Sequence, residues 1–482
     1  MAIGYGLFFS LLGLVGAYIY YLETRPDLKV WHKAKLDQEF RADRTEATPD
    51  LDAYLKLEDT LFQELEQEVY ARIEDADRRE INRYHAGSLM DPDAAPTNWN
   101  RTFELAVDQP VAGALMLHGL SDSPYSMRAL AQVLHQHGVW VVGLRTPGHG
   151  TAPAGLLDVS WQDFAAAVRL AARHVKTRIG SQQPFYMVGY SNGAALAVDY
   201  ALSVMNGADL PVADKLVLLS PAIGVSPAAV LALWQERLSK LAGLKKLGWK
   251  SIQPEFDPYK YNSFTINAAD QIYELTQSIA AGMQQHASTE GVKGFPKVIA
   301  FQSVVDATIP PATLIDVLFE ELAAEGHELV LFDINRRSES EPLLRSDPES
   351  LTERLLADVD LTFTVTLVTN LNPATDEVVA LTKPAGSDTV IDEPLGMIWP
   401  PGIFSLSHVA LPFPPDDPLY GIADTVENSK QHITLGNVVI RGERNLLQIP
   451  DDFFLRLRHN PFFPYLAERM LRFLEIEPRL SN

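Results

Sequence analysis

From Phe103 onward the chain alternates two hydrophobic rhythms. Short unbroken apolar runs fall at residues 113–117, 140–144, 185–188, 215–219 and 297–301. Runs of this length without polar alternation predict strands buried on both faces of a parallel sheet. Between them, residues 126–137, 161–175 and 194–205 repeat apolar positions at helical spacing. The first two open on serines that read as caps, Ser126 and Ser160, the latter with Asp163 three residues on. Strand, helix, strand in succession predicts an α/β fold with a doubly wound, mostly parallel sheet, in a first part over 101–224 and a second over 295–482.

Four stretches break the rhythm. Residues 225–294 carry an apolar helical pattern around 228–244, with Val225, Val230, Leu231, Leu233, Trp234, Leu238 and Leu241, and read as a cap or lid over the ligand edge of the sheet. An insertion over about 336–400 holds strand-like alternation at 361–368 and reads as a small β-excursion. Residues 25–100 form an acidic helical segment with Leu51, Tyr54, Leu55, Leu57, Leu61, Phe62 and Leu65 at helical spacing, ending in a Pro- and Asp-containing linker over 91–100. Finally, residues 3–22 are uncharged and flanked by tyrosines, the length a membrane-crossing helix requires, so residues 1–24 predict a membrane anchor. The competing reading, a cleaved signal peptide, lacks the charged leader. Arg25, Lys29, Lys33 and Lys35 follow the run and favour a catalytic domain on the cytoplasmic face.

Composition narrows the function classes. The 482 residues are 46% hydrophobic and 21% charged, a globular balance that supports a large core. A formal net charge of -22 argues against a nucleic-acid partner, because phosphate backbones need a surplus of Lys and Arg. The chain has no cysteine, which removes disulfides and thiolate catalysis but leaves the compartment open. No Gly-rich phosphate loop or metal-ligand cluster stands out, so neither cofactor nor metal is expected.

The chemistry concentrates at Gly189-Tyr190-Ser191-Asn192-Gly193, set between an apolar strand and a helix of small residues. This order puts a serine hydroxyl on a sharp turn at a helix N-terminus, where backbone N–H groups favour developing negative charge. Upstream, a buried strand ends in His118-Gly119-Leu120, and the backbone N–H groups of Leu120 and Asn192 are the two expected oxyanion donors. His118 itself reads as a residue shaping the loop. A nucleophilic serine needs a base and an acid downstream. Asp306 follows the strand at 297–301, and His408 sits on a loop rich in Pro and Asp, with His327, His432 and His459 as rivals.

From Leu115 to Met205 the chain resembles the monoglyceride-lipase-like carboxylesterases and lysophospholipases of the α/β-hydrolase superfamily. The resemblance rests on His118-Gly119-Leu120, on Arg145-Thr146-Pro147-Gly148-His149-Gly150, on Ser160-Trp161-Gln162-Asp163 and on the Ser191 motif. It implies a triad of Ser191, Asp306 and His408, a cap in the insertion before Gly294, and cleavage of a small-molecule or lipid ester through an acyl-enzyme. The likeness thins beyond Pro221. Two other readings stay open: an aminopeptidase or amidase of the same fold, and a non-catalytic, membrane-anchored binding protein.

Overall fold

The structure, a computed structural model, describes residues 24–224, 245–337, 348–422, 434–437 and 456–477, with Gly13, Gly16 and Tyr21. Five strands lead the chain into its sheet: β1 (Phe103–Leu105), β2 (Ala112–Leu117), β3 (Val139–Leu144), β4 (Phe185–Tyr190) and β5 (Lys215–Leu219). A separate antiparallel ribbon follows, β6 (Trp249–Ser251) with β7 (Phe264–Thr265). The main sheet then resumes with β8 (Lys297–Ser303), β9 (Glu328–Phe332), β10 (Thr364–Asn370), β11 (Glu377–Lys383) and β12 (Ile391–Ile398). Its spatial order is β1-β3-β2-β4-β5-β8-β9-β10-β11-β12. The stretch from β3 to β10 is parallel throughout, while β1, β11 and β12 pair antiparallel at the two margins.

The unbroken apolar runs become strands because both faces are covered. In β2, Leu115 and Leu117 enter the core on one face, with Ala172, Val175 and Ala195. Ala114 and Met116 enter the core on the other, with Leu130, Leu134 and Met470. Helices α1 (Leu51–Glu68), α2 (Arg128–Gln136), α3 (Trp161–Ile179), α4 (Asn192–Met205), α5 (Ile266–His286), α6 (Glu349–Ala357) and α7 (Phe463–Leu474) supply those covers. Helix α3 opens on a reciprocal capping box between Ser160 and Asp163, as the sequence pattern requires. Ser126 does not cap. It lies in a tight turn over Pro124–Met127, its hydroxyl donates to the Ser123 carbonyl, and α2 begins at Arg128.

Position along the sheet now decides where a ligand can sit. The chain leaves β2 towards β3 on one side, then crosses back to add β4 on the other, which opens a crevice outside the carboxyl ends of β2 and β4. His118 follows β2 and Ser191 follows β4, so both stand at that switch point.

Two elements depart from the sequence reading, and a third lies beyond what is described. Residues 228–244 and the apolar lid side chains named above lie outside the described residues. Of the stretch assigned to the cap, Ile266–His286 is a long helix packed on α4 and capped by the Thr265 hydroxyl. The insertion over 336–400 is no separate excursion: β10 hydrogen bonds in parallel along the open edge of β9, and β11 and β12 extend the same sheet. An unpaired edge is a template for further strands, which explains the outcome.

The expected membrane anchor is corrected. Among the described residues no helix is long and apolar enough to cross a membrane. Apart from the three positions named, residues 1–23 lie outside the described ones. An uncharged run of suitable length is a condition on composition alone, and two of the cations read as its flank, Arg25 and Lys29, are engaged by the protein itself. Arg25 donates to the Lys246 and Lys250 carbonyls, Lys246 pairs with Asp27 at 3.0 Å, and Lys29 pairs with Asp77 at 3.0 Å. The inference of a cytoplasmic face, which counted those cations, falls with the anchor.

The segment over 25–100 packs onto the sheet layers. Leu51 and Tyr54 of α1 join the core. Arg145, buried just past β3, binds Glu39 through two parallel hydrogen bonds of 3.0 Å and Glu58 through one of 2.9 Å. The same Glu58 carboxylate accepts from the Thr102 N–H and hydroxyl, so α1 is tied to the strand entry as well.

Candidate active site

Strand β4 delivers Ser191 at φ +53° and ψ −114°, a conformation that L residues rarely adopt. The turn is held from four sides. Ser191 N–H donates to the Leu219 carbonyl, and the Ser191 carbonyl accepts from Ala194, Ala195 and Ala222 N–H groups. Both flanking glycines are obligatory: a Cβ at Gly193 would lie 2.1 Å from the Leu117 carbonyl oxygen, and one at Gly189 would lie 2.5 Å from the Ala194 backbone. Strain of this kind persists only where the surroundings over-determine it.

Asp306 stands on the loop after β8, and its Oδ1 accepts from the Thr308 and Ile309 N–H groups at 2.9 and 3.0 Å. Its Oδ2 lies 2.8 Å from His408 Nδ1. On the far side of the ring, His408 Nε2 lies 3.1 Å from Ser191 Oγ. Carboxylate on one nitrogen and hydroxyl on the other put the ring proton on Nδ1 and leave Nε2 to accept. Burial pushes the Asp306 carboxyl up, but the hydrogen bond and charge attraction of His408, with the two N–H donors, outweigh it and hold the carboxyl below its ordinary range. Such an acid stays ionised beside the imidazole.

The His408 loop is anchored in turn. Asp417, fully buried, accepts from the Tyr125 hydroxyl at 2.8 Å, from Arg128 at 3.0 Å, and from the Leu419 and Tyr420 N–H groups. Tyr190, beside the nucleophile, packs its ring against His408, the centroids 5.4 Å apart. Sequence reasoning passed over Asp417, although its place in a Pro- and Asp-rich loop nine residues after His408 is the signal that would have found it.

Leu120 and Asn192 N–H groups have no acceptor among the described residues. His118 makes no hydrogen bond to Ser191 among the described residues. Its Nδ1 faces the Gly119 carbonyl at 2.8 Å and its Nε2 accepts from Thr146 N–H at 3.1 Å, so it braces the donor loop. Burial holds it neutral, with a pKa pushed down to about 4, and burial likewise takes neighbouring His149 down to about 3. Of the rival histidines, His327 precedes β9 at the opposite end of the strands, where it accepts from Val298 N–H. His459 is buried near the carboxyl-terminal helix, and His432 lies outside the described residues.

Comparison with known proteins meets this geometry from outside. Residues 108–285 match the family described as serine aminopeptidase, S33. A thermostable monoacylglycerol lipase of Bacillus sp. (strain H-257) is 31% identical over 86 residues, 18% of this chain and 33% of that protein. Over residues 108–285 the chain is similar to this hydrolase family. The chain matches only about a third of the length of that curated relative. Among solved structures it resembles the monoacylglycerol lipase of Paleococcus ferrophilus at 18% identity and TM-score 0.37, covering 48% of this chain and 88% of that one. A soluble variant of the monoglyceride lipase of Saccharomyces cerevisiae, bound to a substrate analogue, is 14% identical at TM-score 0.37 and covers 48% and 82%.

Proposed function

We propose that the hydrolase cleaves carboxylic esters, acyl esters such as a monoglyceride or lysophospholipid, through a covalent acyl-enzyme. Ser191 attacks the ester carbonyl while His408 Nε2 takes its proton. The tetrahedral oxyanion accepts from the Leu120 and Asn192 N–H groups. As the intermediate collapses, His408 returns the proton to the leaving alcohol, and water repeats the sequence to free the acid. Asp306 keeps the imidazole in the productive tautomer throughout. The observation that carries this reading is the unbroken chain from Ser191 Oγ through His408 to Asp306, at 3.1 and 2.8 Å, on a turn strained to φ +53°. The local likeness to a monoacylglycerol lipase supports an acyl ester as substrate.

Amide cleavage is the second reading, because the matched family is described as serine aminopeptidase. Both readings need the same serine, and a substrate panel separates them. Fluorophosphonate is expected to label the wild type and to leave Ser191→Ala unlabelled. Against p-nitrophenyl esters and aminoacyl anilides, the expected preference is for esters. Equal labelling of Ser191→Ala rejects the mechanism, and preference for anilides rejects the substrate class.

A further inference from the structure

The loop that carries Leu120 poses an electrostatic problem that the reading above leaves open. Two residues after that donor, Asp122 is buried, and its Oδ2 sits 2.6 Å from where a Cβ of Gly119 would stand. A carboxylate so close to an oxyanion hole opposes the negative charge that the hole exists to receive, the more so where water is excluded. Ser121 between them adopts φ +67°, so the donor also rests on strained backbone.

The answer comes from residues 252–263, the connection between β6 and β7. Lys260 Nζ lies 2.8 Å from Asp122 Oδ1, and Tyr261 N–H donates to the Ser121 carbonyl at 2.8 Å. Among the described residues Lys260 is the one cation paired with Asp122. The connection is itself clamped from behind by the acidic segment. Arg83 N–H donates to the Glu255 carbonyl at 3.0 Å and its guanidinium to the Asp257 carbonyl at 3.2 Å, while Asn100 donates to the Pro258 carbonyl at 2.9 Å. Tyr261 reaches across to accept from Thr151 N–H at 2.9 Å.

We propose that Lys260 is a positioning residue for the oxyanion hole: it neutralises Asp122 and ties the strained Ser121–Asp122 turn to the 252–263 strap, keeping the Leu120 N–H aimed at the reacting oxygen. The proposal rests on the serine-hydrolase reading, with Leu120 as donor. It assigns a role in the reaction to the segment over 25–100, which braces the strap without reaching the site. It also explains how a buried carboxylate is tolerated beside the hole.

The test uses the full-length protein and an ester substrate. Lys260 keeps about a fifth of its side chain exposed, and Met preserves its packing stem, so Lys260→Met is expected to melt near the wild type. Its kcat is expected to fall about 30-fold with KM within about twofold, since the lost effect belongs to the transition state. Affinity for a trifluoromethyl ketone, whose serine adduct puts an oxyanion in the hole, falls by the same factor as kcat/KM. Lys260→Arg restores most of the rate. The deciding variant is Asp122→Asn combined with Lys260→Met, which removes the unpaired charge and is expected to regain about tenfold over Lys260→Met alone. A kcat within twofold of wild type in Lys260→Met, or a double variant no faster than the single, overturns the proposal. Should Lys260→Met not fold, Lys260→Gln and its double variant with Asp122→Asn carry the same comparison. Wild type that neither labels with fluorophosphonate nor hydrolyses esters fails earlier, at Ser191, and takes this proposal with it.

Discussion

At the scale of single residues, the site works by removing alternatives. Ser191 has one backbone conformation because four backbone hydrogen bonds hold its turn and two glycines leave no room for any other arrangement. His408 is biased to one tautomer because the Asp306 carboxylate lies 2.8 Å from its Nδ1. Replacing that carboxylate by an amide therefore tests more than charge. Asp306→Asn keeps the size of the group and offers an N–H to the ring, which favours the unproductive tautomer. The expected result is a folded protein with kcat on ester substrates lower by roughly four orders of magnitude, as in serine proteases with the same change. A loss under tenfold would move the orienting role elsewhere. Ser191 and the Gly-x-Ser-x-Gly frame were legible because the required turn demands those residue types in consecutive order. Lys260 was not legible, since a lysine 138 residues from its carboxylate partner carries no local signal.

At the scale of elements, the joint between α1 and the end of β3 is the most exacting. Arg145, Glu39 and Glu58 are all buried, and the guanidinium fork satisfies both carboxylates at once. Removing the cation leaves two carboxylates desolvated and uncompensated, a loss of about 3–5 kcal/mol. Arg145→Met is thus expected to lower the thermal midpoint by many degrees, and Arg145→Lys to recover little, because an ammonium cannot serve three bonds in that plane. A melting curve close to wild type for either variant would show the segment over 25–100 to be a passive attachment. The helical spacing of Leu51, Tyr54, Leu61 and Leu65 identified α1 in the sequence, but spacing says only that a helix has an apolar face. That the face meets this sheet, through Arg145, depended on which buried group lacked a partner.

For the whole molecule, acid is the sharpest probe. Burial pushes His32 and His149 down to about 3 and His118 and His327 to about 4. Their folded pKa values lie below the ordinary 6.5, so the unfolded chain binds protons that the folded chain refuses. Their contribution to stability is complete above pH 6.5 and is lost as pH falls through the folded values. Each such histidine adds a slope of about 1.4 kcal/mol per pH unit inside that window. The denaturation midpoint in urea is expected to be flat between pH 7 and 8 and to drop steeply from pH 6.5 to 4.5, and a flat profile down to pH 5 would contradict neutral burial. Read along its length, the chain by itself determined the alternation of strands and helices, the doubly wound parallel sheet and the serine turn, because each follows from periodicity or from residues adjacent in sequence. The uncharged run at the start shows the limit of such reading, since hydropathy reports composition and not where a segment ends up. Only the tertiary structure brought Asp306 and His408, 102 residues apart, to one edge. It likewise joined β10, β11 and β12 to the main sheet and closed the 252–263 strap over the Ser121–Asp122 turn. Those choices depend on contacts between distant residues, whose partners are selected by packing, charge and unsatisfied hydrogen bonds that exist only once the chain has folded.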